Sequence, residues 1–210
     1  MLELTTPMTK VWPTLLPVGS AAALYWLRLH ELGARRETVS GKVLERQTLR
    51  WFMLIGTLVF LGAILEFFWH GRAQAGGLPA PRADIAWGSL VPGWACAAAA
   101  FTLRRAAIHA LGRFWSLHVE IRDAHEFVRS GPFRFVRHPT YLSMILELLA
   151  LGLILCAPWS AGLGLLALVP ALRRRLRTEE AALVEKFGPA YREYQRSTPA
   201  LFPYRWPSAS

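Results

Sequence analysis

The stretch HEFVRSGPFRFVRHPTYLSMILE, from His125 to Glu147, joins a basic loop with glycine and proline turns to a long apolar segment. Three arginines and a histidine come shortly before the apolar run YLSMILELLALGLILCAPW: Arg129, Arg134, Arg137 and His138. A cationic loop beside a hydrocarbon-soluble helix predicts a polar site at a membrane surface. A second cluster, RRRLRTEEAALVEKFGPAYREY from Arg173 to Tyr194, follows the next apolar segment. We expect this second cluster to fold back against the first.

The composition also favours a membrane protein. Of the 210 residues, 53% are hydrophobic and 18% are charged, and the mean hydropathy is +0.28. These values are too apolar for an ordinary soluble domain. The net charge of +10 lies in clusters between apolar runs, which favours anionic lipid headgroups over nucleic acid as the partner. Cys96 and Cys156 lie within apolar runs without metal-ligand spacing, so no disulfide framework and no metal site are predicted.

Five apolar segments predict an all-α, polytopic membrane protein, since a span needs about 20 mostly apolar residues. They are Val11–Leu29, Leu49–Trp69, Ile85–Leu103, Pro139–Ala157 and the shorter Trp159–Leu172. A short turn separates the last two, which predicts a helical hairpin followed by a cytoplasmic C-terminal helical segment. We expect one integral membrane domain, 1–210, with a three-helix part at 1–103 and a catalytic part at 104–210.

The loop charges predict an orientation. Arginines and lysines are concentrated after the first and third segments, whereas the loop after the second carries only Arg72 and Arg82. The positive-inside rule then places the N-terminus outside and the C-terminus in the cytoplasm, in the inner membrane if the protein is bacterial. The first ten residues lack a basic region and a cleavage site, so we expect them to stay attached as part of an anchor.

Three motifs follow one another along the C-terminal half. The first is H-x-[hydrophobic]-V-x-x-G-P-[aromatic] at His125–Phe133, the second is R-H-P-x-Y at Arg137–Tyr141, and the third is a glutamate pair followed by F-G-x-x-Y-x-x-Y at Glu179–Tyr194. Their order and spacing resemble the isoprenylcysteine carboxyl methyltransferase and phospholipid methyltransferase superfamily. The resemblance implies S-adenosylmethionine as cofactor, with S-adenosylhomocysteine as product, in a cytoplasm-facing pocket. It also implies lipid-like acceptors that enter from the bilayer.

The same resemblance implies site residues. The cofactor-binding positions would be His118, His125, Glu126, Phe127, Val128, Phe133, His138, Pro139, Thr140, Tyr141, Glu179 and Glu180. The catalytic positions would be Arg175 and Arg137. Glu147 is a third catalytic candidate on a different ground, because a carboxylate within an apolar segment is costly and usually faces a cavity or a partner. By this resemblance Glu179 binds amino or ribose groups of the cofactor, Glu180 takes that role if the register shifts by one, and Arg175 holds the anionic end of the acceptor.

The residues themselves support this interpretation only in part. Pro139 at the first turn of a helix would leave nearby backbone donors free to meet an anion. Gly131 and Pro132 predict a turn with positive φ at the glycine. Arg175 and Glu179 are four residues apart and share one helical face. Each feature also has an ordinary explanation: Arg137 as a membrane anchor, His138 as a loop histidine, and the Arg175–Glu179 pair as a surface ion pair.

The predicted chemistry is a direct methyl transfer, in which the protein positions two reactants and excludes water. An acceptor carboxylate, as in isoprenylcysteine, is already ionised and needs only orientation by Arg175 and Arg137, and this acceptor is favoured. An amine, thiol or phenol would need a base such as Glu147 or a histidine. Two alternatives remain open at this stage: a related membrane reductase of lipids, and a non-catalytic membrane scaffold. The expected partners are membrane lipids and an amphiphilic or lipidated acceptor, and the oligomeric state is left open.

Overall fold

A computed structural model of the protein describes residues 8–33, 41–45, 47–74, 83–115, 119–122 and 128–204. These residues form six α-helices and one pair of β-strands. In chain order they are α1 (Met8–Gly33), β1 (Gly41–Glu45), α2 (Gln47–Gln74), α3 (Ala83–Leu111), β2 (Val119–Arg122), α4 (Pro139–Ile154), α5 (Pro158–Phe187) and α6 (Pro189–Ser197). Short 3-10 turns lie at Gly112–Phe114 and Gly131–Arg134.

Each predicted apolar segment corresponds to a helix, so the helical class is confirmed. The helix of the fifth segment, α5, continues past the predicted end at Leu172 to Phe187, so the first part of the expected C-terminal helical segment is continuous with it. Only the fourth segment was drawn too long, because α4 ends at Ile154 rather than at Ala157. Among the described residues, one helical stretch, Gln47–His70, is long and apolar enough to cross a membrane by length and composition. Pro139–Ile154 is apolar but shorter. Five spans and their orientation therefore stay predictions.

One pair of short β-strands is added to this helical fold. β1 and β2 pair antiparallel, with Gly41 opposite Arg122 and an irregularity between Val43 and Glu45. Strands of five and four residues are too short to show the alternating pattern by which a strand is recognised in a sequence. Both strands also contain charged residues, so neither stands out as an apolar segment.

The chain divides into two compact units that are not consecutive along the sequence. The first unit contains the described residues within 1–33, 55–98 and 147–166, and the second contains those within 34–54, 99–146 and 167–210. Four helices, α2, α3, α4 and α5, contribute residues to both units. The division at residue 103 proposed from the sequence stays a prediction.

In the first unit, α4 and α5 approach each other closely next to the turn that joins them. A Cβ added to Gly152 would lie 2.5 Å from the Cβ of Ala161, so only glycine allows this distance. The turn is closed by the Ala157 N–H, which donates to the Gly152 carbonyl at 2.8 Å. The predicted hairpin of the last two apolar segments is confirmed.

A carboxylate within the apolar helix α2 also joins two helices of the first unit. Glu66 of α2 accepts hydrogen bonds from the backbone N–H groups of Trp159 and Ser160 at 3.1 and 2.8 Å, and from the Ser160 hydroxyl at 2.7 Å. These donors belong to the first turn of α5, whose N–H groups have no partner within the helix. Glu66 therefore caps α5 and is stabilised by the positive end of its dipole.

Candidate functional site

A polar cluster in the second unit brings together six of the site residues predicted from the sequence. Three of them stand at the start of α4: Arg137, His138 and Tyr141. The other three lie in the middle of α5: Arg175, Glu179 and Glu180. Hydrogen bonds join the two groups, as described below. The second cluster of the sequence does fold against the first, as expected.

The approach to α4 is shaped by its turn residues. Gly131 has φ +60°, as predicted, and Pro132 continues the 3-10 turn that buries Phe133. The expectation that Pro139 leaves neighbouring backbone donors free for an anion is wrong for the two N–H groups that precede it. The N–H groups of Arg137 and His138 donate to the carbonyls of Pro199 and Ala200 at 2.9 and 3.0 Å. The chain after α6 therefore holds the residues just before α4 through two backbone hydrogen bonds.

Glu180 accepts hydrogen bonds from three side chains, those of Arg137, His138 and Gln195. Its Oε1 accepts from Nε and Nη2 of Arg137 at 2.8 and 2.7 Å, and its Oε2 accepts from Gln195 Nε2 at 3.1 Å. Burial raises the pKa of this carboxyl, but hydrogen bonds from His138 and Arg137 and their charges outweigh burial and lower the pKa to about 2. Glu180 is therefore ionised at neutral pH.

The guanidinium of Arg137 is used to hold the fold. Besides its two bonds to Glu180, its Nη1 donates to the carbonyl of Gln195 at 3.0 Å and to the carbonyl of Thr198. Three nitrogens of one side chain thus connect the residues just before α4 with α5 and with the C-terminal end of α6. This geometry supports a positioning role for Arg137, and its predicted role in contacting an acceptor stays a prediction.

His138 lies between the two glutamates and is almost fully buried. Its Nε2 is 3.0 Å from Glu180 Oε1, and its Nδ1 is 3.9 Å from Glu179 Oε1. Because an ionised carboxylate can only accept, Nε2 must carry the proton in the bond to Glu180. The imidazole ring also stacks on Tyr141, with centroids 5.7 Å apart. The ring orientation is thereby fixed from two sides.

A second chain of hydrogen bonds runs through Arg175, which is 4% exposed. Its Nε donates to the Tyr141 hydroxyl at 2.9 Å, and its Nη1 donates to Thr48 Oγ1 at 3.2 Å. The Tyr141 hydroxyl donates in turn to Glu179 Oε2 at 2.6 Å. The predicted direct pair between Arg175 and Glu179 is therefore bridged by a phenol. The Glu179 side chain remains 32% exposed.

Sequence reasoning missed the contribution of α2 to this cluster. Thr48 is 1% exposed, and Phe52, one turn later, places its ring 6.2 Å from that of Tyr141. Both residues stand at the start of an apolar segment that was assigned only a spanning role. A threonine at this position carries no motif. The one signal available was a polar residue where the apolar helix begins.

The remaining predicted site residues are distributed elsewhere. Glu147 belongs to the first unit, where its Oε2 lies 3.8 Å from Nε of Arg28. Phe133 is buried and accepts the Tyr194 hydroxyl on its backbone carbonyl. Pro139 is buried at the first position of α4, while Val128 and Thr140 are partly exposed. His118, His125, Glu126 and Phe127 lie outside the described residues.

The tail of the second unit packs over the cluster as the sequence predicts. Gly188, with φ +55°, separates α5 from α6, and α6 buries Tyr191 and Tyr194. Burial raises the pKa of both phenols, and for Tyr191 the nearby Glu180 and Glu179 raise it further. These tyrosines stay protonated at physiological pH. In the part of the chain that the structure describes, no group of three or more His, Cys, Asp or Glu residues is placed to hold a metal ion.

Comparison with known proteins supports the resemblance seen in the motifs. Residues 94–185 match the sequence profile of the Isoprenylcysteine carboxyl methyltransferase (ICMT) family. The chain is 36% identical over 97 residues to the cobalt-zinc-cadmium resistance protein CzcN of Cupriavidus metallidurans, covering 44% of this chain and 43% of that protein. It is 31% identical over 105 residues to human protein-S-isoprenylcysteine O-methyltransferase, covering 49% and 37%.

The likeness to the ICMT family is thus confirmed for residues 94–185, which contain the first two motifs and the glutamate pair of the third. The aligned segments span less than half the length of these relatives. A solved structure of the eukaryotic intramembrane Ras methyltransferase ICMT was also found to be similar. The superposition covers 77% of this chain and 69% of the ICMT chain, with a TM-score of 0.47 and 20% sequence identity.

Proposed function

We propose that the protein is an integral membrane methyltransferase that transfers a methyl group from S-adenosylmethionine to an amphiphilic, lipid-like acceptor. The hydrogen-bonded chain Thr48–Arg175–Tyr141–Glu179 is the observation that carries this proposal. It holds one cation and one carboxylate in fixed positions next to each other. An acceptor anion and the polar groups of the cofactor need that combination.

The described residues fit this cofactor. When bound, S-adenosylmethionine supplies an activated methyl group on a positively charged sulfur. Glu179 keeps part of its carboxylate exposed, so it can accept hydrogen bonds from amino or ribose hydroxyl groups. Tyr141 donates a hydrogen bond to this carboxylate, and His138 stacks on the Tyr141 ring, so both residues help to hold Glu179 in place. Glu180, whose oxygens already bind Arg137, His138 and Gln195, is assigned to the fold rather than to the cofactor.

Arg175 is proposed to orient the acceptor. Its guanidinium is held by Tyr141 and Thr48 in a buried position, where an unscreened positive charge attracts an anion strongly. If the acceptor is a carboxylate, as in prenylcysteine, no proton needs to be removed, and O-methylation follows from correct placement alone. Only an acceptor that carries a proton would need a base, and for that case Glu147 stays the proposed candidate.

Calorimetric titration of the detergent-solubilised protein with S-adenosylhomocysteine tests the proposal. We expect binding, and we expect Glu179→Gln to weaken it by about tenfold through the loss of a charge-assisted hydrogen bond. Glu185→Gln is the matched control, since Glu185 is exposed in the same helix and the substitution makes the same change in charge. Unchanged affinity in Glu179→Gln would contradict the assigned pocket.

Two further titrations separate the alternative functions. A membrane reductase would bind a nicotinamide dinucleotide, whereas the proposed methyltransferase would not. A non-catalytic scaffold would bind neither compound.

The proposed orientation can be tested on intact cells with an impermeant thiol reagent, which should label a cysteine introduced at Gly77 and fail to label one at Ala190. The reverse labelling pattern would overturn the orientation and leave the proposed chemistry untouched.

A further inference from the structure

We propose that the exposed arginines of α5 form a binding site for the phosphate headgroup of an anionic phospholipid. They border an open cavity of about 490 Å³ in the second unit. Its lining residues are Val169, Pro170, Arg173, Arg174, Arg177 and Thr178. None of these residues takes part in the hydrogen bonds of the polar cluster described above.

Helical geometry separates these arginines from the one in the polar cluster. Arg173 and Arg177 are four residues apart and therefore share one face of α5, with Arg174 beside them. All three are exposed, whereas Arg175 is 4% exposed and binds Tyr141. One helix thus directs a single arginine into the protein and three arginines outward. The hydrogen bonds to Tyr141 and Glu179 described above involve Arg175 and not the outward set.

The charge of the cavity selects an anion with several acceptor oxygens. Three of the six lining residues are arginines, and none of the six is acidic. Glu179 and Glu180 of the same helix are directed to Tyr141 and Arg137 instead. Thr178 donates its hydroxyl to the Arg174 carbonyl at 3.1 Å, so the guanidinium groups supply the donors. Arginine binds phosphate in a bidentate fashion, which makes a phosphate diester the best-matched ligand.

The apolar end of the cavity indicates a lipid rather than free phosphate. Val169, 41% exposed, and Pro170 lie one helical turn before the arginines, and the sequence before them is apolar from Trp159 to Leu168. Pro170 has an apolar side chain and no N–H group, so it cannot donate to a headgroup. A ligand here meets cationic donors at one end and hydrocarbon at the other. An anionic phospholipid has this arrangement of groups.

Native mass spectrometry of the solubilised full chain tests the site with short-chain phosphatidylglycerol as the probe. Short-chain phosphatidylcholine and inorganic phosphate are the comparison ligands. We expect phosphatidylglycerol to bind most tightly, and the double substitution Arg173→Gln/Arg177→Gln to weaken it by about tenfold or more, given the contribution of each arginine near a membrane surface. Arg192→Gln/Arg196→Gln in α6 is the matched control, because both arginines are exposed and the charge change is identical.

Each alternative gives a different result. Equal loss in the two double variants would mean that only net charge matters and would overturn the site. Equal binding of inorganic phosphate would show that the ligand is a free anion, and equal binding of phosphatidylcholine would remove the preference for negative charge. Competition by a short DNA duplex would favour nucleic acid instead. Titration with S-adenosylhomocysteine should be unchanged in Arg173→Gln/Arg177→Gln, which shows that the variant is folded and separates this site from the proposed cofactor pocket.

Discussion

The two units of the molecule differ in the kind of side chain that they bury. Among the described residues, the buried polar and charged side chains all belong to the second unit: Thr48, Arg104, His138, Ser143, Arg175 and Thr198. In the first unit, the buried side chains are apolar, as in Ala21, Ala63 and Ala161. Close helix approach in a bilayer depends on such small residues. A buried polar network is costly unless each member has a partner.

This difference teaches where substitutions should affect the fold and where they should affect function. The first unit should respond to changes in side-chain volume, because its helices meet at contacts such as that of Gly152 with Ala161. The second unit should respond to the loss of single hydrogen bonds. Within it, Glu180 and Arg137 hold the fold, whereas Glu179 and Arg175 are proposed to meet ligands. The following substitutions test that division.

Glu180→Gln should have the largest effect on stability. It removes the charge that accepts two bonds from Arg137 and one from His138, and it leaves a largely buried guanidinium without its counter-ion. Breaking such a pair costs about 3 kcal/mol. Thermal unfolding in detergent should show a large fall in Tm. Glu185→Gln should leave Tm unchanged, and an equal Tm for both variants would show that Glu180 does not hold the fold.

Acid should remove the same contribution in the unmodified protein. The pKa of Glu180 is lowered from 4.5 to about 2, so the folded state favours the ionised form. A lowered pKa contributes stability that is complete above pH 4.5 and is lost as the pH falls towards 2. Unfolding measured between these values should be less pH-dependent in Glu180→Gln than in the parent protein. A parallel loss in both would assign the acid sensitivity to other carboxylates.

The helices of both units could be predicted from the sequence because apolar runs and proline or glycine boundaries are local signals. Tyr141 was also singled out because it stands in an ordered motif, and Arg175 because it lies one helical turn before the glutamate pair. The separate tasks of Glu179 and Glu180 were not predictable. Adjacent residues on a helix point about 100° apart, and only the structure shows that Glu180 faces Arg137 while Glu179 faces Tyr141.

The partners contributed by distant parts of the chain were not predictable for the same reason. The carbonyls of Pro199 and Ala200 bind the N–H groups before α4, but a backbone carbonyl carries no sequence signal. Thr48 lies 127 residues from Arg175, and a single threonine at the start of an apolar helix has no pattern to distinguish it. Long-range contacts of this kind are set by tertiary packing, not by local composition.

Gly152→Ala should test the packing of the first unit. The added Cβ would stand 2.5 Å from the Cβ of Ala161, and neither atom can move without shifting a helix. Overpacking of this kind costs about 2 kcal/mol, which thermal unfolding would detect. Gly162→Ala is the control, because a Cβ there meets nothing within 4 Å. If Gly152→Ala were as stable as Gly162→Ala, close approach of α4 and α5 would not be needed.

Thr48→Val should have the smallest effect on stability and a specific effect on the proposed reaction. Valine keeps the shape of threonine but cannot accept the hydrogen bond from Arg175, a loss worth about 1 kcal/mol. If Arg175 orients the acceptor, kcat/KM for a prenylcysteine acceptor should fall about fivefold, while the affinity for S-adenosylhomocysteine should not change. Thr48→Ser should restore the rate.

Thr57→Val is the matched control in the same helix, since Thr57 bonds to Tyr25 in the first unit, and it should leave kcat/KM unchanged. An unchanged kcat/KM in Thr48→Val would mean that Thr48 does not set the position of Arg175, and an equal fall in Thr57→Val would mean that the two units do not differ in the way proposed here.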